Sequence, residues 1–142
     1  MTVAYFDSSA LVKLVVDEPG SDDAALLWDG ADSVFTSRVA HPEVRAALAA
    51  AQRGGRLDDR AHRQAKAGWA ELHAALRLVE VTPQLEHSAG EFAEKHRLGG
   101  FDAVHLASAL TLESAGVVVA TWDGRLHQAA RAVGLPTLPR QP

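Results

Sequence analysis

Val3-Ala4-Tyr5-Phe6-Asp7-Ser8-Ser9-Ala10-Leu11 is the stretch on which the reading of this chain turns. An apolar run stops abruptly at an acid. Two small hydroxyl residues follow, and then Ala10-Leu11-Val12-Lys13-Leu14. A continuous apolar run bounded by a polar break is the pattern of a strand buried on both faces, as in a parallel sheet. The stretch therefore predicts a strand over Val3–Phe6, a short turn, and a helix over Ala10–Val16. Asp7 stands at the carboxyl end of that strand, where open α/β sheets gather ligands and chemistry. Ser8 or Ser9 is expected to cap the helix by accepting a hydrogen bond from a free backbone N–H. Taken alone, Asp7 is equally readable as a cap or turn residue.

Outward from this stretch the chain alternates. Pro19-Gly20 stops the first helix. Ser21 is expected to cap a second helix to about Trp28, with Asp22 and Asp23 in its first turn, where the helix dipole favours negative charge. Ser33–Ser37 reads as a strand. Helices are predicted from near Ala40 to Arg53 and from Leu57 to Leu76, the first with Pro42 in its opening turn and the pair divided by Gly54-Gly55. Leu78–Val81 reads as a third strand, and Thr82-Pro83 opens a helix to about Leu98. Phe101–Ser114 is apolar almost all round, which predicts a buried helix. Val117–Ala120 is a fourth strand, Arg125–Val133 a last helix, and Pro136–Leu138 a short edge strand. Strands alternating with helices predict a three-layer α/β/α fold with a central parallel sheet of four to five strands, joined by right-handed crossovers.

The 142 residues suit one domain with a real core. Cysteine is absent, which excludes disulfide and thiolate chemistry and agrees with a cytoplasmic protein. No run approaches the roughly 18 apolar residues of a membrane span, and the first apolar stretch lacks the basic flank of a signal peptide. Net charge is −4, but Arg38 to Lys66 holds seven bases against three acids, a local +4 that leaves −8 on the remainder. That segment is readable as a solvated helical hairpin or as a phosphate-contacting face.

Four acids occupy positions where a solvated charge is not expected. Asp7 and Asp123 each follow a buried strand, so both are predicted at the same edge of the sheet. Asp102 opens an otherwise apolar helix, and Glu43 lies in the first turns of the helix after the second strand. Ionised carboxylates sharing a small volume raise one another's pKa values. A hard divalent cation, Mg²⁺ or Mn²⁺, resolves the conflict through oxygen ligation. Metal held by acids without a protein nucleophile points to phosphodiester hydrolysis by an activated water. Singly, each acid also has a plain structural reading as a cap, turn or surface charge.

Four motifs in order carry a resemblance. They are Tyr5 to Leu11 with the following Glu18-Pro19-Gly20, Thr36-Ser37 with Pro42-Glu43-Val44-Arg45, Asp102-Ala103-Val104-His105-Leu106-Ala107, and Thr121-Trp122-Asp123-Gly124-Arg125-Leu126. Together they resemble the PIN-domain family, and specifically the VapC toxin ribonucleases of bacterial toxin–antitoxin pairs. The resemblance covers essentially the whole chain and implies a single PIN domain over residues 1–142. It implies an endoribonuclease dependent on Mg²⁺ or Mn²⁺, with Asp7 and Asp102 as principal metal ligands. Asp123 would ligate directly or through water, and Glu43 more peripherally. Ser8, Ser9 and Thr121 resemble the family's small hydroxyl residues near the site. His105, one turn after Asp102, reads as a satisfied buried histidine rather than a catalytic one. Phe101 departs from the small residue the family often has there.

The resemblance further implies an RNA substrate, a VapB-like antitoxin, a homodimer and a higher toxin–antitoxin assembly, with no membrane association. Trp28, Val12, Val15, Val16 and Trp69 are candidates for dimer contacts or for core. From charge distribution, Arg38, Arg45, Arg53 and Arg56 are candidates for holding RNA phosphates. The rival reading is a catalytically silent PIN module that acts by protein binding. A dehalogenase-type phosphohydrolase would need a second acid where Ser9 stands. A phospho-receiver domain would need paired early acids and a late lysine, and the chain has neither.

Overall fold

The computed structural model describes all 142 residues. Five parallel strands form one sheet: β1 (Val3–Phe6), β2 (Ser33–Ser37), β3 (Arg77–Val79), β4 (Val118–Ala120) and β5 (Thr137–Leu138), in the order β3-β2-β1-β4-β5. Seven helices cover it: α1 (Ser8–Val12), α2 (Ser21–Gly30), α3 (Ala40–Arg53), α4 (Asp59–Ala75), α5 (Pro83–His96), α6 (Gly100–Leu110) and α7 (Gly124–Ala132), with a single 3₁₀ turn at Glu113–Ala115. This is the expected three-layer α/β/α arrangement. No helix is long and apolar enough to cross a membrane.

The period-2 geometry of a strand divides the apolar residues between two cores. Val3 and Tyr5 of β1 and Val119 of β4 face a core closed by α5, α6 and α7, built on Leu85, Leu106 and Leu126. Ala4, Phe6 and Ala120 face the other side, where α1 to α4 contribute Leu11, Val44, Leu48 and Trp69. The middle strand is buried along its full length, which is why Val3–Phe6 reads as an unbroken apolar run. From β1 the strand order runs one way to β2 and β3 and the other way to β4 and β5. The reversal opens a crevice at the carboxyl ends of β1 and β4, the position where ligands settle in such sheets.

Several local expectations are corrected. Asp7 itself caps α1, in extended backbone conformation and with its side chain accepting from the Ala10 N–H, so neither Ser8 nor Ser9 is the cap. The helix ends at Val12, and Lys13 to Val16 continue as turns. α2 starts from Gly20 rather than from a serine cap. The Ser21 hydroxyl is spent on the Val16 carbonyl and the Glu18 N–H. β3 is Arg77–Val79 rather than Leu78–Val81, because its register is set by pairing with Phe35 to Ser37 of β2. α6 stops at Leu110, since Thr111 turns its hydroxyl back onto the Ser108 carbonyl and the chain tightens. Trp69 is buried and donates its indole N–H to His41 Nδ1 at 3.0 Å, which makes it core rather than a contact for another subunit.

Candidate active site

The crevice is built from two strand ends and two helix starts. β1 delivers Asp7 and β4 delivers Thr121-Trp122-Asp123, with Phe6 paired to Ala120 immediately before them. The Asp7 carboxylate is buried and accepts three hydrogen bonds. Ser9 Oγ at 2.7 Å and the Ala10 N–H at 2.9 Å bind Oδ1, and Thr121 Oγ1 at 2.6 Å binds Oδ2. The Thr121 hydroxyl also accepts from the Asp123 N–H at 3.1 Å, so one hydroxyl ties both strand-end acids together. Ser9 Oγ likewise accepts from the Trp122 N–H at 2.9 Å. Asp123 caps α7 by accepting from the Leu126 N–H at 2.9 Å. Ser8 joins none of these bonds and stays partly exposed. Burial pushes the Asp7 carboxyl above its ordinary pKa, against the opposing pull of His105, Thr121 and Ser9.

The helix starts supply the other two acids. Asp102 lies in the first turn of α6, whose cap, Gly99, offers no side chain. Its pKa is pushed up to about 6, first by burial and then by the negative charges of Asp123 and Asp7. Glu43, in the first turn of α3, reaches across to His105 Nε2 at 2.6 Å. His105 Nδ1 lies 2.7 Å from the Tyr5 hydroxyl. Burial holds the Tyr5 phenol well above its ordinary pKa, so it keeps its proton. The phenol then donates to Nδ1, and Nε2–H donates to Glu43. His105 is thus a satisfied buried histidine. The link that sequence reading missed is its role as a strut, fixing Glu43 from β1 and α6. A tyrosine inside an apolar strand is the one sequence signal for it, because a buried phenol needs a partner.

The Glu18-Pro19-Gly20 segment of the first motif packs against the last motif. Lys13 Nζ donates to Glu18 Oε1 and the Pro19 carbonyl and lies 5.2 Å from the Trp122 ring centroid. Gly20 has φ +94, and a Cβ there would come within 2.7 Å of Trp122 Nε1. Only glycine fits both the left-handed backbone and the close approach. The two motifs are therefore parts of one wall, beside Asp7 and Asp123.

The arginines expected to hold phosphates are spread along the fold rather than gathered at one point. Arg38 forms a two-pronged ion pair with the Glu80 carboxylate. Arg45 is exposed on α3 two residues past Glu43. Arg53 is at the far end of that helix, about 15 Å from Glu43 at 1.5 Å per residue, and Arg56 lies in the turn beyond. Phe101, the departure from the small residue, projects into solvent beside Asp102, 57 % exposed.

The order of these motifs is matched by a model of the PIN domain over residues 4–132. The chain belongs to the PIN-domain family. This PIN domain is 50% identical over 141 residues to Ribonuclease VapC45 and Ribonuclease VapC49 of Mycobacterium tuberculosis, covering 99% of the chain and 98% of each relative. Among solved structures it superposes on Mycobacterium tuberculosis VapC20, described as a Sarcin-Ricin loop cleaving toxin. The TM-score is 0.67 and identity 24%, over 93% of this chain and 95% of that one. It also superposes on VapBC2 from Rickettsia felis bound to a DNA fragment from their promoter, with TM-score 0.63 and 12% identity over 96% and 97% of the two chains. At those identities the structures speak for the fold, and the curated relatives for membership among the VapC ribonucleases.

The donors of this PIN domain suit a divalent cation. No three acidic or imidazole side chains are drawn into a ready-made metal cage. Mg²⁺, however, is usually held by one or two carboxylates and completes its shell with water and substrate phosphate. Asp7, Asp102 and Asp123 all lack a basic ion-pair partner, and their mutual repulsion lifts Asp102. Oxygen-only donors with uncompensated negative charge fit a hard cation.

Proposed function

We propose that this protein is an Mg²⁺- or Mn²⁺-dependent endoribonuclease and the toxin member of a VapBC-type pair. The observation that carries the reading is the convergence of Asp7, Asp102 and Asp123 without a basic partner, in a chain half identical to VapC ribonucleases over nearly its full length. Asp7 and Asp102 would hold the ion, with Asp123 alongside and Glu43 at the periphery. Such an ion lowers the pKa of a bound water and stabilises charge on the attacking and leaving oxygens of a phosphodiester. The chain's own part is orientation. Ser9, Thr121 and the Ala10 N–H hold the Asp7 carboxylate in one rotamer. Thr121 sets the Asp123 backbone relative to it, and His105 holds Glu43. Asp102, with a pKa of about 6, would be held in its anionic form by a neighbouring cation.

A VapB-like antitoxin as partner is supported by the VapBC complexes among the structural relatives. A homodimer is part of the same proposal, with the partly buried Val12, Val15, Val16 and Trp28 as its candidate surface.

The test is cleavage of a mixed RNA pool by the purified chain in Mn²⁺, Mg²⁺ or chelator, beside Asp7→Asn and Asp102→Asn. Cleavage that needs the metal and both carboxylates is the expected result. Absence of both cleavage and Mn²⁺ binding would sink it in favour of a silent module acting by protein binding.

A further inference from the structure

A second polar feature lies between α5 and α7 and is used by none of the chemistry above. It is a pocket of about 470 Å³ between the end of α5 and α7, lined by His96, Arg97, Arg125, Gln128, Ala129 and Ala132. Three of its six lining residues are basic or imidazole side chains, and none is acidic. Neither Arg97 nor Arg125 has a carboxylate partner anywhere in the molecule. His96 Nε2 is the one buried side-chain polar atom left without a hydrogen bond. A chain of net charge −4, with acids on α5 and around the crevice, offers ready counterions, yet these two guanidiniums face a concavity without one. Arg97 is also the only non-glycine residue with positive φ, at 55°. This places it as the left-handed cap that ends α5.

Both walls of the pocket come from segments that lead, along the chain, to residues of the acidic crevice. Arg125 is two residues beyond Asp123, in the first turn of α7. Arg97 leads through Leu98-Gly99-Gly100-Phe101 to Asp102. A polyanion with one phosphodiester at the acids would pass another phosphate over this pocket.

We propose that the pocket is a phosphate subsite for the RNA backbone next to the bond that is cut, with Arg97 and Arg125 as its charged donors and Gln128 as a neutral one. The subsite rests on the ribonuclease reading. It adds positive charge that the acidic crevice lacks and fixes the strand's direction across the acids. Arginine suits the task, because its planar fork pairs with two phosphate oxygens at once.

The test uses the full chain in an Asp102→Asn background with Mn²⁺, so that RNA is bound but not cut. Binding of a labelled mixed-sequence single-stranded RNA is followed across salt concentrations for three proteins. These are the background, Arg97→Ala with Arg125→Ala, and a charge-matched control, Arg131→Ala in the last turn of α7 with Arg140→Ala after β5. The expected result is about tenfold weaker binding for the first pair. The slope of log affinity against log salt should fall by about 0.7 for each phosphate that is no longer neutralised, and the control pair should change neither. RNA binding with unchanged affinity and slope in the first pair overturns the subsite and leaves the ribonuclease reading standing. Failure of the background protein to bind RNA overturns both. In that case, thermal stabilisation by inorganic phosphate that needs Arg97 and Arg125 would show an anion pocket that is not an RNA subsite.

Discussion

The acids at the strand ends and the acids at the helix starts are held in different ways. Asp7 and Asp123 cap helices, so each carboxylate is committed to a backbone N–H and its position is part of the local fold. Glu43 and Asp102 lie in the first turn of helices that have no side-chain cap. Glu43 is fixed only through His105, and Asp102 stands against its neighbours' charge. The caps made by the strand-end pair contribute to stability, while the buried Asp7 charge works against it. Asp102 is assigned to the proposed chemistry, and its charge comes at a cost to stability. Substitutions should separate the two kinds of acid.

The largest effect is expected at Asp7. Asp7→Ala removes the cap of α1 and leaves the Ala10 N–H and the Ser9 and Thr121 hydroxyls without their acceptor. A loss of about 2–3 kcal/mol in denaturant unfolding follows. Asp7→Asn keeps an acceptor oxygen and drops the buried charge, so it should unfold near the parent while losing cleavage. Equal destabilisation by the two would break the distinction between cap and charge.

Tyr5→Phe comes next. It leaves His105 Nδ1 buried without a donor and loosens the strut under Glu43, for about 1–2 kcal/mol. Unchanged stability would mean that Glu43 is not held from β1.

Asp102→Asn should act in the opposite sense. The carboxyl titrates at 3.8 when unfolded and at about 6 when folded. Well below pH 3.8 both states are protonated and the variant should match the parent. As pH rises from 4 through 6 the folded state is increasingly penalised for holding the charge, and above pH 6 the penalty is complete. The variant should therefore be more stable above pH 6, by about 1 kcal/mol once solvent screening of a half-exposed group is allowed for. The comparison is made in chelator. Adding Mn²⁺ should stabilise the parent more than the variant, and an absence of that reversal would count against Asp102 as a ligand.

The smallest effect is expected at Arg38. Its pair with Glu80 is exposed, so Arg38→Ala should leave the thermal midpoint and the RNA affinity unchanged.

Much of this was legible in the residues. The alternation of apolar runs with helical periodicity placed every strand and helix in the observed order, because burial on two faces and the 3.6-residue repeat are local signals. The ends were less legible. Ser8, Ser9 and Ser21 all carry good capping chemistry, yet Asp7 and Gly20 hold the cap positions. The hydroxyls of Ser9 and Ser21 were drawn instead to Asp7, Trp122 and Val16, groups that the folded chain brings near. The arrangement of the arginines from 38 to 56 was hidden for a related reason. Charge in sequence says nothing of the ion pair with Glu80, or of the length of α3 that carries Arg53 away from the acids.

By itself the sequence determined the class of fold, the central strand and the placement of Asp7 and Asp123 at one edge of the sheet. These follow from patterns a few residues long and from the parallel connection that alternating strands and helices require. Only the tertiary structure decided what holds those acids and what surrounds them. The Thr121 bridge spans 114 residues, the Tyr5–His105 contact 100, and the His105–Glu43 contact 62. Such contacts depend on which strands become neighbours and in what register. That is settled by burying two cores at once, and no short stretch of sequence encodes it.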